Sequence, residues 1–333
     1  MKIIKNCSLL KYNTFGIDVR TDFLVEYSNL PELKEALQTA ARPLLHIGAG
    51  SNLLFLEDFC GTVTRSAITS VEVVNETECA ISVRVGSGVL WEDFVKQCAE
   101  NEWWGVENLS AIPGYIGAAA VQNIGAYGVE LKDVVESVSA VSVEDCFERE
   151  FTKSECEYAY RSSVFKKALR GLYVITHVTL SLSKHPAPIL GYGELKSEVE
   201  ALGEVSLKNI CHVVRSIRMR KLPDPAILGN AGSFFMNPVV SSENYRKLLY
   251  FWPDMPAYFM ADDQVKLPAG WMIERCGWKG RRLGRAAVHE KQALVIVNTG
   301  GATGAEIKQL ADRIIDDVRS KFNISLSAEV NYI

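Results

Sequence analysis

The stretch from Asn108 to Leu131, NLSAIPGYIGAAAVQNIGAYGVEL, holds four glycines and five alanines. Residues this small supply little packing volume, and they let one stretch of backbone approach another, or a ligand, closely. Two readings follow: a tight helix-to-sheet contact, or a path by which main-chain amides reach a long, flat cofactor with a diphosphate. A second glycine turn, HIGAGSNLL, follows the strand-like PLLHI. A dinucleotide fingerprint G-x-G-x-x-G would require glycine where Leu53 stands, and LLFLEDFCGTVTR after it reads as strand rather than helix. That disfavours an ordinary Rossmann site. The run Gly48, Ala49, Gly50, Ser51 and Asn52 can still form an anion-binding nest, the plain alternative being a tight turn between strands. Two glycine-lined turns on one chain favour the cofactor reading.

The rest of the chain alternates helix and strand signals without a fixed repeat, which predicts an α+β class. ELKEALQTAA and WEDFVKQCAEN carry apolar residues at helical spacing, while ISVRVGSG, VVESVSAVSV, LYVITHVTLSL and KQALVIVN read as strands. SLKNICHVVRSIRMRKLPDP predicts a basic helix capped by Ser206 and stopped by Pro223, with a new unit beginning beyond it. TGAEIKQLADRIIDDVRSKF has a Thr303/Glu306 capping box ahead of an amphipathic helix, and the final SLSAEVNYI is strand-like. With 333 residues, 48% of them hydrophobic, there is material for two or three domains.

Charge and cysteine usage narrow the function classes. A formal net charge of -4 offers no global field for nucleic acid or an anionic membrane. The N-terminus turns polar too early for a secretory signal, and no apolar run approaches the roughly 20 residues of a membrane span, so a cytoplasmic protein is expected. The eight cysteines are scattered without a CxxC pair, and His289-Glu290 lacks the second histidine of HExxH. They read as reduced thiols, with no protein-bound metal.

Chemistry is suggested by KLPDPAILGNAGSFFMNP, where Ser233 stands between Gly232 and two phenylalanines. A serine beside glycine is ordinarily a turn or cap residue, and GNAGSFF lacks the G-x-S-x-G elbow of a nucleophile. A hydroxyl can also protonate a carbanion or enolate, whose basicity drives the transfer. Arg161 and Glu329 are charged residues in or beside strand-like stretches, where burial requires a partner or ligand. Structural ion pairs would serve equally. Lys221, Lys279, Arg281 and Arg282 are either local charge for a diphosphate or solvated surface.

AGSN, IPGYIGAAAVQNIGAYG, YRSSVFK, GYGEL, RKLPDP, GNAGSFFMNP, LPAGWMIE and AEV occur in this order, over nearly the whole chain. In this ordered set the sequence resembles the UDP-N-acetylenolpyruvoylglucosamine reductases of peptidoglycan synthesis, and GYGEL looks like the longer of that family's two subtypes. The resemblance implies a two-subdomain FAD-binding fold of the PCMH/vanillyl-alcohol-oxidase kind, at residues 1–69 and 70–221, plus a C-terminal α+β substrate-binding domain at 222–327. The tail 328–333 would return to the flavin.

It further implies that Gly48 to Asn52 and Pro113, Gly114, Ile116, Gly117 and Ala118 cradle the FAD diphosphate, with Asn123, Gly125 and Tyr127 lining the cofactor. Ser233 takes the family's proton-donor place, and Arg161 and Glu329 the places of its enol stabilisers, Glu329 protonated or bridged to the developing enol. Tyr192, Lys221 and Asn237 match substrate-contacting positions, as do Tyr258 and Lys279 less closely. The implied reaction passes hydride from NADPH through FAD to the enolpyruvyl group of UDP-N-acetylglucosamine enolpyruvate, giving UDP-N-acetylmuramate. Lys221 either polarises Ser233 or holds the substrate carboxylate. One departure stands out: Asn331 occupies a place where a basic residue contacting the cofactor is expected.

A monomer is expected. Two rival readings compete with that of a reductase. An alcohol-oxidising flavoenzyme of the same fold fits poorly, since the resemblance runs through Ser233 and its flanks. A UDP-sugar-binding regulator without turnover would have no need of Ser233, Arg161 and Glu329 together.

Overall fold

The structure is a computed structural model describing residues 1–333. The chain divides into two compact units, the first comprising Met1–Cys7, Arg20–Ala49 and Phe59–Arg218, the second Ser8–Val19, Gly50–Asp58 and Met219–Ile333. The class is α+β, as expected.

The first unit holds two sheets. One is four-stranded, in the order Lys2–Ser8, Arg20–Tyr27, Phe59–Ser66, Leu44–Ile47, with Phe59–Ser66 parallel to both Arg20–Tyr27 and Leu44–Ile47. The helix Leu30–Thr39 crosses over between parallel strands; Asn29 caps it by accepting from the Glu32 amide, and it buries Leu33 and Leu37 beside Tyr27, Val141 and Val174. The other sheet is antiparallel and five-stranded, in the order Glu148–Thr152, Val135–Ser142, Tyr173–Ser183, Ala80–Gly86, Val71–Glu76. Trp91, Phe94, Val95, Cys98 and Ala99 recur at the spacing of one helical face, and all are buried in the helix Trp91–Glu100. Most of them join Val83, Val85, Val138 and Val178 of this sheet in one core.

The second unit carries a four-stranded sheet in the order Gly229–Ser233, Val295–Asn298, Ala286–Val288, Arg282–Leu283. Its long helix, Gly304–Phe322, has the full capping box between Thr303 and Glu306 and ends on Asn323 in the left-handed region. Ile307, Leu310, Ala311, Ile314 and Val318 form its buried face. The basic helix runs Leu207–Lys221, with Ser206 Oγ accepting from the Asn209 amide.

Two segments differ from the sequence reading. Inside the small-residue stretch lies a seven-residue helix, Ile116–Gln122. Helical periodicity is invisible there because alanine and glycine carry no apolar contrast. Of SLSAEVNYI, only Asn331–Tyr332 is strand, paired in parallel with Leu53–Leu54.

His46 lies on the strand leading into the Gly48 turn, 5.9 Å from the Tyr27 ring, with Nδ1 3.0 Å from Thr64 Oγ1. Burial pushes its pKa down from 6.5 to about 4. The folded protein thus refuses a proton that the unfolded chain accepts between those values. The stabilisation is complete above pH 6.5 and is lost as pH falls toward about 4. We expect Tm to decline over this interval and the decline to flatten in His46→Gln. Parallel curves for the two proteins would refute the assignment.

Candidate active site

In the first unit Gly48, where the first glycine turn begins, meets the second small-residue segment. A Cβ at Gly48 would lie 3.0 Å from Ala118 Cβ and 3.8 Å from the Tyr115 ring. Tyr115 is the residue before the helix Ile116–Gln122; its hydroxyl contacts Arg65, whose guanidinium lies 5.0 Å from the ring centre and pairs with Glu26 at 3.2 Å. The amides of Ile116 and Gly117 donate to the Val89 and Ser87 carbonyls, and a Cβ at Gly117 would fall 2.8 Å from Ser87 Cβ. Close backbone packing therefore accounts for Gly117, and these two residues build the wall of the turn. Gly114, at φ +135°, is half-buried and adopts a backbone that side chains resist, while Pro113 is exposed. Small residues line both turns and a side chain at Gly48 would fill the space between them. This arrangement fits an extended ligand recognised through the main chain.

Asn123 ends the helix in the left-handed region and is wholly buried. Its amide nitrogen donates to Glu130 Oε2 and the Ala159 carbonyl, and its oxygen accepts from the Lys132 amide. Its side chain is thus committed to the protein. Arg161 also has positive φ, and its guanidinium donates to the Gly125 carbonyl at 2.7 Å and lies over Tyr160. A Cβ at Gly125 would come 3.0 Å from that guanidinium, so glycine is what lets Arg161 lie along this turn. Tyr127 and Tyr192 meet edge to face with ring centres 5.8 Å apart. Arg218, from the basic helix, donates through Nε to the Ala111 carbonyl; burial first, and the charge of Arg161 after it, holds its pKa below the usual arginine range, with Tyr127 opposing.

In the second unit Ser233 ends the strand Gly229–Ser233 opposite Val295, after an irregularity that includes Gly232 at φ +68°. Asn230, nearly buried, shapes this bend by donating to the Pro223 and Leu228 carbonyls and accepting from the Gly232 amide. Phe234 and Phe235 anchor the following residues in the core. The C-terminal tail runs alongside: Phe235 bridges Ala328, the Glu329 amide donates to the Phe234 carbonyl at 2.8 Å, and the Met236 amide to the Ser327 carbonyl. The backbone at Glu329 thereby lies against Phe234, the residue after Ser233.

The tail also fixes the turn at Gly50 to Asn52. Asn52 Nδ2 donates to the Glu329 carbonyl at 3.2 Å, and Asn331 donates to the Asn52 carbonyl from its amide at 3.0 Å and from its side chain at 3.2 Å. Asn331, a departure in the sequence, is thus part of the scaffold of this turn. Asn237 accepts from the Ala269 amide at the start of the helix Ala269–Arg275. Lys221 is exposed; Tyr258 is exposed with Lys266 over its ring, and Lys279 pairs with Glu274 at 3.0 Å. All eight cysteines are free thiols. No helix is long and apolar enough to cross a membrane.

Sequence reasoning missed Arg65, Arg218 and the pairing of Asn331 with Asn52. Each owes its place to residues far away in the chain, and no local pattern marks it.

Residues 224–333 match the family model of the UDP-N-acetylenolpyruvoylglucosamine reductase C-terminal domain, and residues 21–145 that of an FAD binding domain. The chain is 50% identical over 328 residues to the UDP-N-acetylenolpyruvoylglucosamine reductase of Bacteroides fragilis, covering 98% of each chain. It is 45% identical over 338 residues to that of Porphyromonas gingivalis, covering 100% of each. Among solved structures it is similar to UDP-N-acetylenolpyruvylglucosamine reductase from Thermus caldophilus, with a TM-score of 0.70 at 23% identity, covering 99% of this chain and 98% of that one. At that identity the likeness speaks to fold.

Proposed function

Since this chain belongs to the UDP-N-acetylenolpyruvoylglucosamine reductase family, we propose that it reduces the enolpyruvyl group of UDP-N-acetylglucosamine enolpyruvate to UDP-N-acetylmuramate for peptidoglycan. It works as a cytoplasmic monomer, with NADPH as the diffusible reductant. The observation that supports this reading is the backbone pairing of the tail at Glu329 with Phe234, the residue after Ser233.

The turns at Gly48 to Asn52 and Pro113 to Ala118 would hold the FAD diphosphate, Ile116 and Gly117 by shaping the wall, and Asn123, Gly125 and Tyr127 would line the cofactor. Bound FAD supplies hydride transfer from NADPH to the terminal alkene carbon of the substrate. Charge then develops on the adjacent carbon and its carboxylate. Arg161 and Glu329 stabilise that charge, and the Ser233 hydroxyl gives its proton to the carbon. Serine suffices because the acceptor is a strong base. Tyr192, Lys221, Asn237, Tyr258 and Lys279 contact the substrate, Lys221 through either the Ser233 hydroxyl or the substrate carboxylate. By domain, residues 1–69 and 70–221 carry FAD, 222–327 the substrate, and the tail 328–333 returns to the flavin.

The test is the visible spectrum of the purified protein, followed by NADPH oxidation with and without the enolpyruvyl sugar. Yellow protein with sugar-dependent turnover is expected. Colourless protein that FAD does not reconstitute would overturn the reading.

A further inference from the structure

Asn108 lies in the short turn Glu107–Leu109 and is completely buried. Both neighbours of its amide nitrogen are carbonyl oxygens: Nδ2 donates to Tyr127 at 2.9 Å and to Ile189 at 2.7 Å. The first acceptor belongs to the turn carrying Tyr127. The second belongs to the irregular segment that carries Tyr192, where Ile189 is 49% and Tyr192 47% exposed and where Cβ atoms at Gly191 and Gly193 would meet nothing within 4 Å. That segment has little packing of its own near its tip, so a buried tether at Ile189 matters to where Tyr192 stands. The Tyr127 and Tyr192 rings meet 5.8 Å apart just beyond it.

Residue chemistry supports a dedicated role. Asparagine presents two N–H donors on one nitrogen, matching two carbonyls; aspartate would set a carboxylate against both. Asn108 Oδ1, in contrast, is buried without a hydrogen-bond partner, a cost the fold sustains while both donors are placed.

We propose that Asn108 is a positioning residue that latches the Tyr192 segment to the Tyr127 turn, setting substrate affinity without touching the substrate. This rests on the reading of Tyr192 as a substrate contact. Asn108→Ala is expected to raise KM for the enolpyruvyl sugar about tenfold while kcat changes by less than about threefold, and adding it to Tyr192→Ala should change KM little beyond Tyr192→Ala alone. Chymotrypsin should cut after Leu190 or Tyr192 about tenfold faster in the FAD-loaded variant than in wild type. Asn108→Asp, which keeps the side-chain shape, should behave like Asn108→Ala in both assays.

An additive double variant, or unchanged cleavage and KM, overturns the latch. So does loss of FAD and folded structure in both Asn108 variants, which would make the residue a plain core element. Wild-type turnover that ignores the enolpyruvyl sugar is a different failure: it removes the functional reading, whereas the cleavage rates would still report on the tether.

Discussion

Ser233→Ala is expected to lower turnover about 10³-fold while leaving reduction of the bound flavin by NADPH close to the wild-type rate. Under the proposed role the hydroxyl would be needed only after hydride has reached the substrate, when a carbanion-like centre must be protonated. The backbone around it should survive the change. The bend is shaped by Asn230 and Gly232, the next residues are anchored by Phe234 and Phe235, and the strand partner is Val295. None of these uses the Ser233 side chain. Rapid-mixing absorbance separates the two half-reactions: bleaching of the flavin by NADPH, then recovery of its colour on adding the enolpyruvyl sugar. Slow recovery after normal bleaching supports proton donation. Turnover within about threefold of wild type would remove Ser233 from its role, and slow bleaching would mean that the substitution had disturbed the cofactor instead.

The second large effect concerns Gly50, and it is read as stability and flavin content. Gly50 has φ +67°, and a Cβ there would stand 2.0 Å from the Tyr12 carbonyl oxygen and 2.7 Å from Asn13 Cα. These are backbone atoms, which cannot swing away as a side-chain end would. Overpacking and a left-handed backbone together cost on the order of 3–5 kcal/mol, so Gly50→Ala should lower Tm by roughly 10 °C and release FAD. The displacement would propagate, since the turn accepts from Thr14 through the Gly50 carbonyl and is tied by Asn52 to Glu329 and Asn331. Gly203→Ala is the control: φ is +87° there, but a Cβ would meet nothing within 4 Å. It should cost about 1 kcal/mol, the conformational part alone. Equal Tm values for the two variants would refute the close-contact argument.

The catalytic reading was legible in the sequence through motif order more than through any single residue. Ser233 alone looks like a turn serine, and Arg161 and Glu329 alone look like structural ion-pair partners. Only the ordered set connects them to one reaction; the family match of residues 224–333 together with 50% identity over 328 residues bears out the family that this order implied. Asn123 shows the limit of a motif. Its side chain satisfies Glu130, Ala159 and Lys132, a role that a position in a motif does not distinguish from cofactor contact.

By itself the sequence determined the elements whose signal is local. Leu33, Ala36 and Leu37 in one helix, Phe94, Val95 and Cys98 in another, and the Thr303/Glu306 box are written within a few residues of one another. The tertiary structure alone decided which distant segments share a unit: Ser8–Val19 and Gly50–Asp58 belong with Met219–Ile333. It alone set Asn52 against Glu329 across 277 positions, seated the helix Ile116–Gln122 against Ser87, and spent both Asn108 donors on two separate loops. The physical reason is the range of the information. Helical periodicity and capping are satisfied by neighbours in sequence, whereas a buried amide finds its acceptor only after the chain has folded around it.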